Sequence, residues 1–251
     1  MIGNTTGISC ISTGYLHILD GTYEAISNAI KTGDNTNTII ELGKYTAQYA
    51  VLLLNNSNMT INGGTFTGNG VDSIRARDNS NLIINDGQFL SEQNSALHTA
   101  NYASVKINKG IFNSNRNTTW DGVVQNESVG DFTIGNVGDN NQNILINNNN
   151  NNQINGIYQN GENSNIVFNS GIVYGYCGAN ITGNGSKIYL NGGSLIGIGG
   201  TTQGNSGWSI CLYSGRSFNI YLKRNSTVYL SGRGKNGKQS VINQQFITEV
   251  D

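Results

Sequence analysis

Proline is absent from the 251 residues, and charge is scarce: 14 Lys and Arg stand against 15 Asp and Glu. The lack of Pro excludes collagen and proline-rich linkers. A formal net charge of −1 argues against a dedicated nucleic-acid binder, which has to neutralise phosphates. No apolar run reaches the roughly 18 residues of a membrane span, so no membrane insertion is expected. Cysteine is down to three, Cys10, Cys177 and Cys211. They do not make a disulfide framework, and no two lie at metal-ligand spacing, so neither metal nor cofactor is expected. Met1 to Cys10 holds neither a basic leader nor an apolar core, and no signal peptide is expected in this chain.

What is abundant is Gly, at 34, and Asn, at 42, beside 36% hydrophobic residues. One phrase recurs: an apolar residue, two more residues, Gly, one residue, then an aromatic or apolar residue. It reads Ile18 to Tyr23, Ile40 to Tyr45, Ile61 to Phe66, Ile84 to Phe89 and Ile107 to Phe112, with weaker copies at Phe168 to Val173 and Leu190 to Leu195. Its glycines, Gly21 to Gly110, follow one another at 22, 21, 23 and 23 residues. The gap from Gly110 to Gly171 is 61 residues, near three periods, with Ile134 and Ile144 to Ile146 expected to fill it. Val228 to Leu230 marks one more copy.

Each unit carries short period-two strands such as Met59 to Ile61, Leu82 to Ile84 and Val105 to Ile107, then a second strand such as Val71 to Ala76 or Ala96 to Ala100. One such turn cannot bury its inner side chains, whereas stacked turns share a continuous core. The expectation is an all-β parallel β-helix with turns of about 22 residues. A leucine-rich repeat would need a denser Leu frame, and a sandwich would not return one phrase in register.

Asn follows the core residue at Asn62, Asn85, Asn108, Asn169 and Asn191. Stacked turns would place these amides about 4.8 Å apart, in a structural ladder. Asn also tolerates left-handed backbone geometry, which suits a corner. Ala25, Ile26, Ala29 and Ile30 share one helical face, so residues 1–37 are expected to hold one or more N-terminal strands and a short capping helix. The coil then runs over 38–240, with loop insertions near 141–153, where six consecutive Asn stand, and near 197–207. Residues 241–251 form a C-terminal cap or tail.

The Ala25-Ile26 to Ala29-Ile30 pattern, the polar turn to Leu42 and Gly43-Lys44-Tyr45 resemble the start of the right-handed, pectate-lyase-like parallel β-helices. The phrase Ile61-Asn62-Gly63-Gly64-Thr65-Phe66 is similar to repeats of bacterial surface adhesins and phage tailspike-like proteins. The resemblance spans residues 13 to 235. It implies a right-handed coil, and it leaves function open because this coil carries enzymes and inert stalks alike.

Chemistry on such a coil stacks on an outer face. Fourteen positions past the core Ile stand Arg75, His98 and Asp121, expected on neighbouring turns if nothing is inserted, with Asp72, Glu92 and Glu127 nearby. These are weak catalytic candidates. Two carboxyls could serve glycoside hydrolysis. However, the dense Asp clusters of pectate-lyase-like enzymes and the Asp-Asp pair of polygalacturonases are not found, and the essential Arg of the former is matched only loosely, by Arg75 or Arg77. Trp120, Tyr158, Tyr174, Tyr176, Trp208 and Tyr213 are candidates for stacking on glycans. The resulting expectation is a non-enzymatic structural or glycan-binding protein: a phage virion fibre, spike or capsid decoration. A bacterial cell-surface adhesin and a polysaccharide lyase or hydrolase are the alternatives. Expected partners are further copies, as a homotrimer, and surface glycans or virion and cell-surface proteins. The expected location is the virion or the extracellular surface.

Overall fold

A computed structural model describes residues 2–3, 5–116, 121–139, 143–148, 154–199, 207–212, 216–223, 227–232 and 249–250. The chain winds as a parallel β-solenoid. Among the described residues three sheets of ten, nine and ten strands run the length of the coil. Each turn gives one strand to each, in the order sheet A, sheet B, sheet C. Among the described strands each pairs in parallel with the one three positions later in the chain, except that Phe218–Leu222 pairs with Glu249–Val250, two positions later.

The repeated phrase sits at the corner from sheet C to sheet A. Ile40, Ile61, Ile84, Ile107 and Ile134 stack in register inside the coil. Phe168 and Leu190 continue that stack. Beside it the rings of Tyr23, Tyr45, Phe66, Phe89 and Phe112 lie face to face, with centroids 4.7 to 5.1 Å apart. Ile61, Ile84, Phe66 and Phe112 are fully buried. Burying each such side chain contributes roughly 1.5–3 kcal/mol, and the ring pairs add about 0.5–1.5 kcal/mol each. The Gly two residues before each ring has a backbone reason. Gly87 has φ +139°, and a Cβ there would stand 2.8 Å from the Phe89 ring.

Three expectations change. The expected helix at Ala25 to Ile30 is two strands, Thr22–Ala25 and Asn28–Thr32, with Ala29 and Ile30 buried against the next turn. Stacking on a neighbouring turn outweighs a helical spacing of only four apolar residues. The coil accordingly begins at Ile2–Gly3, which pairs with Glu24 and Ala25, and not at residue 38. The 61-residue gap holds two long turns instead of three, because Gly110 pairs with Ile144 and Leu145 with Ile172.

Of the six-Asn run, Asn147 and Asn148 complete the strand Ile144–Asn148, and Asn148 is buried. The rest of the run and most of the second expected insertion lie outside the described residues. At the far end, Glu249–Val250 pairs with Tyr221 and Leu222 and adds a rung to sheet C.

Candidate functional site

The outer side of sheet B carries the charged cluster. Val51, Ile74, Leu97, Val124 and Ile157 are the in-register inward residues of its strands. The residue after each points outward, which makes a row of Leu52, Arg75, His98, Gln125 and Tyr158. Arg75 and His98 are therefore neighbours, as the spacing predicts. Asp121 is not the third member. The turn between His98 and its partner is longer, so Gln125 stands beside His98. Asp121 lies before the strand Gly122–Ser128, and its carboxylate pairs with Arg116 at 2.8 Å.

The third partner of His98 comes from the turn between sheets A and B. Asp72 is fully buried, and its Oδ2 stands 3.3 Å from His98 Nδ1. On the other side Glu127 Oε2 lies 3.3 Å from His98 Nε2, off the line of a good hydrogen bond. The Asn94 amide and the Ser95 backbone N–H donate to Asp72 Oδ1 at 2.7 and 3.2 Å. Gln125 and Asn160 amides donate to Glu127 at 2.7 and 3.0 Å. Arg75 Nη1 completes the chain, 3.7 Å from Asp72 and donating to the Tyr49 hydroxyl at 3.3 Å.

Burial pulls the His98 pKa down, yet the two flanking carboxylates outweigh it and raise the value to about 9. Glu127 is held down to about 2, first by its contact with His98 and against the effect of burial. At neutral pH the His98 imidazolium and the Glu127 carboxylate are both charged and face each other at 3.3 Å.

The aromatic candidates scatter around the coil. Tyr158 is half-buried in the outward row of sheet B, and Thr182 Oγ1 donates to its hydroxyl at 3.3 Å. Tyr174 stands on the outer side of sheet A, and Tyr176 and Trp208 lie in A-to-B turns of successive rungs, all half-buried. Trp120 and Tyr213 lie outside the described residues. An outward pair that sequence reading missed, Tyr189 and Tyr221, stacks at 4.5 Å on sheet C.

The Asn ladder is present in two pieces. Asn108 donates to Asn85 and Asn85 to Asn62, each at 2.7 Å, and Asn62 donates to Glu41 at 2.7 Å. His17 closes that end on Glu41 at 2.9 Å. Hydrogen bonds from Asn62 and His17 hold the Glu41 carboxyl below its ordinary value. Asn191 donates to Asn169 at 2.8 Å, and Asn169 to the Gly135 carbonyl at 3.0 Å. Gly135 occupies the missing rung, which leaves Asn108 Oδ1 without a partner.

Asn and Asp in left-handed geometry stand at the other corner, from sheet B to sheet C. There Asp34, Asn55, Asp78 and Asn101 have φ between 49° and 62°. Asn55 donates to Asp34, and Asn101 to Asp78 at 2.8 Å. Their spacing of 21, 23 and 23 residues is the signal that could have found them.

Cys177 and Cys211 form a disulfide between successive turns, which the sequence reading did not anticipate. Their separation of 34 residues matches no repeat period, so the pairing was hidden. Cys10 is free. Among the described residues no group of three or more His, Cys, Asp or Glu is placed to hold a metal. No family model, no curated protein and no solved structure matches this chain.

Proposed function

We propose that this chain is a non-enzymatic display scaffold, a coil of the right-handed, pectate-lyase-like kind, that binds glycans on its outer faces as part of a virion fibre, spike or decoration. The observation that carries the non-enzymatic reading is the closed Asp72–His98–Glu127 cluster. A general acid or base works best with a pKa near the operating pH. His98 at about 9 and Glu127 at about 2 both stand far from it. Asp72, fully buried, is out of a substrate's reach. The outward Tyr158, Tyr174, Tyr176 and Trp208 supply aromatic surface for stacking on sugar rings.

The disulfide favours a second reading, a bacterial cell-surface adhesin. Disulfides persist in oxidising surroundings and are rare in the reducing cytosol. That favours display at an extracellular surface.

A glycan array run beside reducing-sugar and unsaturated-uronate assays tests both readings. The expected result is retained glycan without product, with retention weakened in Trp208→Ala. Product formation that disappears in His98→Ala would replace the scaffold by an enzyme. Failure to retain any glycan would leave a scaffold without this ligand class.

A further inference from the structure

Seven Asn residues are followed directly by Gly: Asn62, Asn69, Asn155, Asn160, Asn184, Asn191 and Asn236. Such pairs are chemically weak points of an amide-rich chain. Gly has no Cβ to shield its nitrogen or stiffen its backbone, so that nitrogen can reach the side-chain carbonyl carbon of the preceding Asn. The reaction needs an Asn side chain free to turn back and a Gly N–H that no carbonyl holds.

The fold guards most of these pairs. Asn155 is fully buried, its Nδ2 donating to the Asp121 carbonyl at 3.1 Å and its Oδ1 accepting from the Cys177 N–H at 3.3 Å. The Gly156 N–H donates to the Cys177 carbonyl at 2.9 Å. Asn160 donates to Glu127 at 3.0 Å, and the Gly161 N–H to the Asn126 carbonyl at 3.2 Å. Asn184 Oδ1 accepts from the Ser217 N–H at 3.1 Å, and the Gly185 N–H donates to the Ser217 carbonyl at 2.9 Å. The ladder holds Asn62 between Glu41 and Asn85, and ties Asn191 to Asn169. Asn236 and Gly237 lie outside the described residues.

Asn69 and Gly70 differ from all of these. Both are exposed, in the bend that leaves the strand Thr65–Gly68. Among the described residues nothing bonds to the Asn69 side chain or to the Gly70 N–H. The backbone on either side is pinned, by Asn69 N–H to the Ala47 carbonyl at 2.8 Å and by Val71 N–H to the Gln48 carbonyl at 3.0 Å.

We propose that Asn69-Gly70 is a self-modification site, at which the folded chain loses ammonia and turns Asn69 into aspartate and isoaspartate. Hydroxide takes the proton of the Gly70 N–H, and the nitrogen attacks Asn69 Cγ. The new C–N bond closes a cyclic imide, the Cγ–Nδ2 bond breaks, and the leaving nitrogen takes a proton from water to depart as ammonia. Water then opens the imide at either of its carbonyl carbons. One opening gives aspartate, and the other routes the main chain through the side chain of residue 69. No oxidant or reductant takes part.

The neighbouring turns give the product a consequence. Asn69 N–H bonds to Ala47 and Glu92 N–H to Gly68, which sets Gln48, Asn69 and Glu92 in one column on successive turns. A carboxylate at position 69 would stand one strand spacing, about 4.8 Å, from the backbone of Glu92, and like charges so placed repel. Isoaspartate adds a backbone atom between two pinned ends. The aged chain should therefore melt below the fresh one.

The test is peptide mapping by mass spectrometry of the full chain, aged in mildly alkaline buffer both folded and in guanidinium chloride. Denatured, the Asn-Gly pairs should deamidate at similar rates. Folded, Asn69 should keep close to its denatured rate, while Asn62, Asn155, Asn160, Asn184 and Asn191 fall several-fold below theirs. Aspartate and isoaspartate should appear together at 69, the mark of an opened imide. Gly70→Ala, whose Cβ meets only the flexible Gln48 side chain at 2.8 Å, should slow the reaction several-fold. If it does not fold, Asn69→Gln, whose longer side chain closes the ring far less readily, should remove the early product. Protection of folded Asn69 as strong as that of Asn155 overturns the proposal, as does earlier reaction at any of the guarded pairs. Aspartate without isoaspartate would replace the imide route by direct hydrolysis and overturn it as well.

Discussion

Cys177 reaches Cys211 by the same step across the coil that brings Asp72 to His98. Cys177 stands two residues before the inward Ala179, and Cys211 one residue after Ile210, its partner on the next turn. Asp72 and His98 hold the same places around Ile74 and Leu97. Tyr49 and Arg75 repeat the step at 3.3 Å, and so do Ser95 and Gln125. The coil thus generates one recurring diagonal contact on the outer side of sheet B. The residues placed there decide whether it is a hydroxyl–guanidinium bond, a carboxylate–imidazolium pair or a covalent bond.

The covalent version yields a thiol count. The denatured, unreduced protein should titrate one thiol, Cys10, and three after reduction. Replacing Cys177 and Cys211 together by Ala should cost about 3–4 kcal/mol in denaturant melts, the loop-closure entropy for a separation of this length. Three thiols titrating without reductant would show that the bond does not form.

The ionic version yields a pH profile. His98 is raised from 6.5 to about 9, so its contribution is complete below 6.5 and disappears as pH climbs through about 9. Glu127 is lowered from 4.5 to about 2, so its contribution is complete above 4.5 and fades as pH falls toward 2. Glu127 is over a third exposed, which makes its limb the shallower one. Melting temperature should peak between pH 4.5 and 6.5. His98→Gln should lower it and remove the fall from 6.5 to 9; persistence of that fall would assign it to another group.

In the ladder, rungs are unequal. Asn85 both donates and accepts, whereas Asn108 donates only and its own oxygen has no partner. At about 0.5–1.5 kcal/mol per bond, Asn85→Ala should cost about twice what Asn108→Ala costs. Urea melts of the two variants compare them directly, and equal losses would remove the ladder as a source of stability.

The corner glycine admits no side chain. Gly87→Ala combines φ +139° with a Cβ 2.8 Å from the Phe89 ring, and should cost roughly 1–3 kcal/mol. Ile84→Asp, which puts a charge into the fully buried stack, should leave no cooperative melting transition. A folded Ile84→Asp protein would mean that the stack tolerates water.

Much of the coil was legible because a solenoid repeats its physics. Ile61, Ile84 and Ile107 meet at a period of 23 residues, so their spacing alone placed them in one stack. The ladder at Asn62, Asn85 and Asn108 followed from the same count. Legibility failed where the count was interrupted. Four extra residues after His98 moved Gln125 into the place expected for Asp121. The long turns after Gly110 concealed how many rungs lay between it and Gly171. Ala25 to Ile30 misled for another reason: four apolar residues fit a helix and a strand equally, and only the next turn chose between them.

The sequence by itself determined the period, the inward residues and the corner that needs Gly, because each depends on residues one repeat apart and on local backbone sterics. Tertiary structure alone decided which residues meet diagonally across turns of unequal length. Asp72 with His98 and Cys177 with Cys211 are such meetings, since their separations of 26 and 34 residues share no period. It also decided that the apolar residues outside sheet A line up. Ile111, Leu145 and Ile172 are scattered in the chain, and stacking the turns is what draws them into one row.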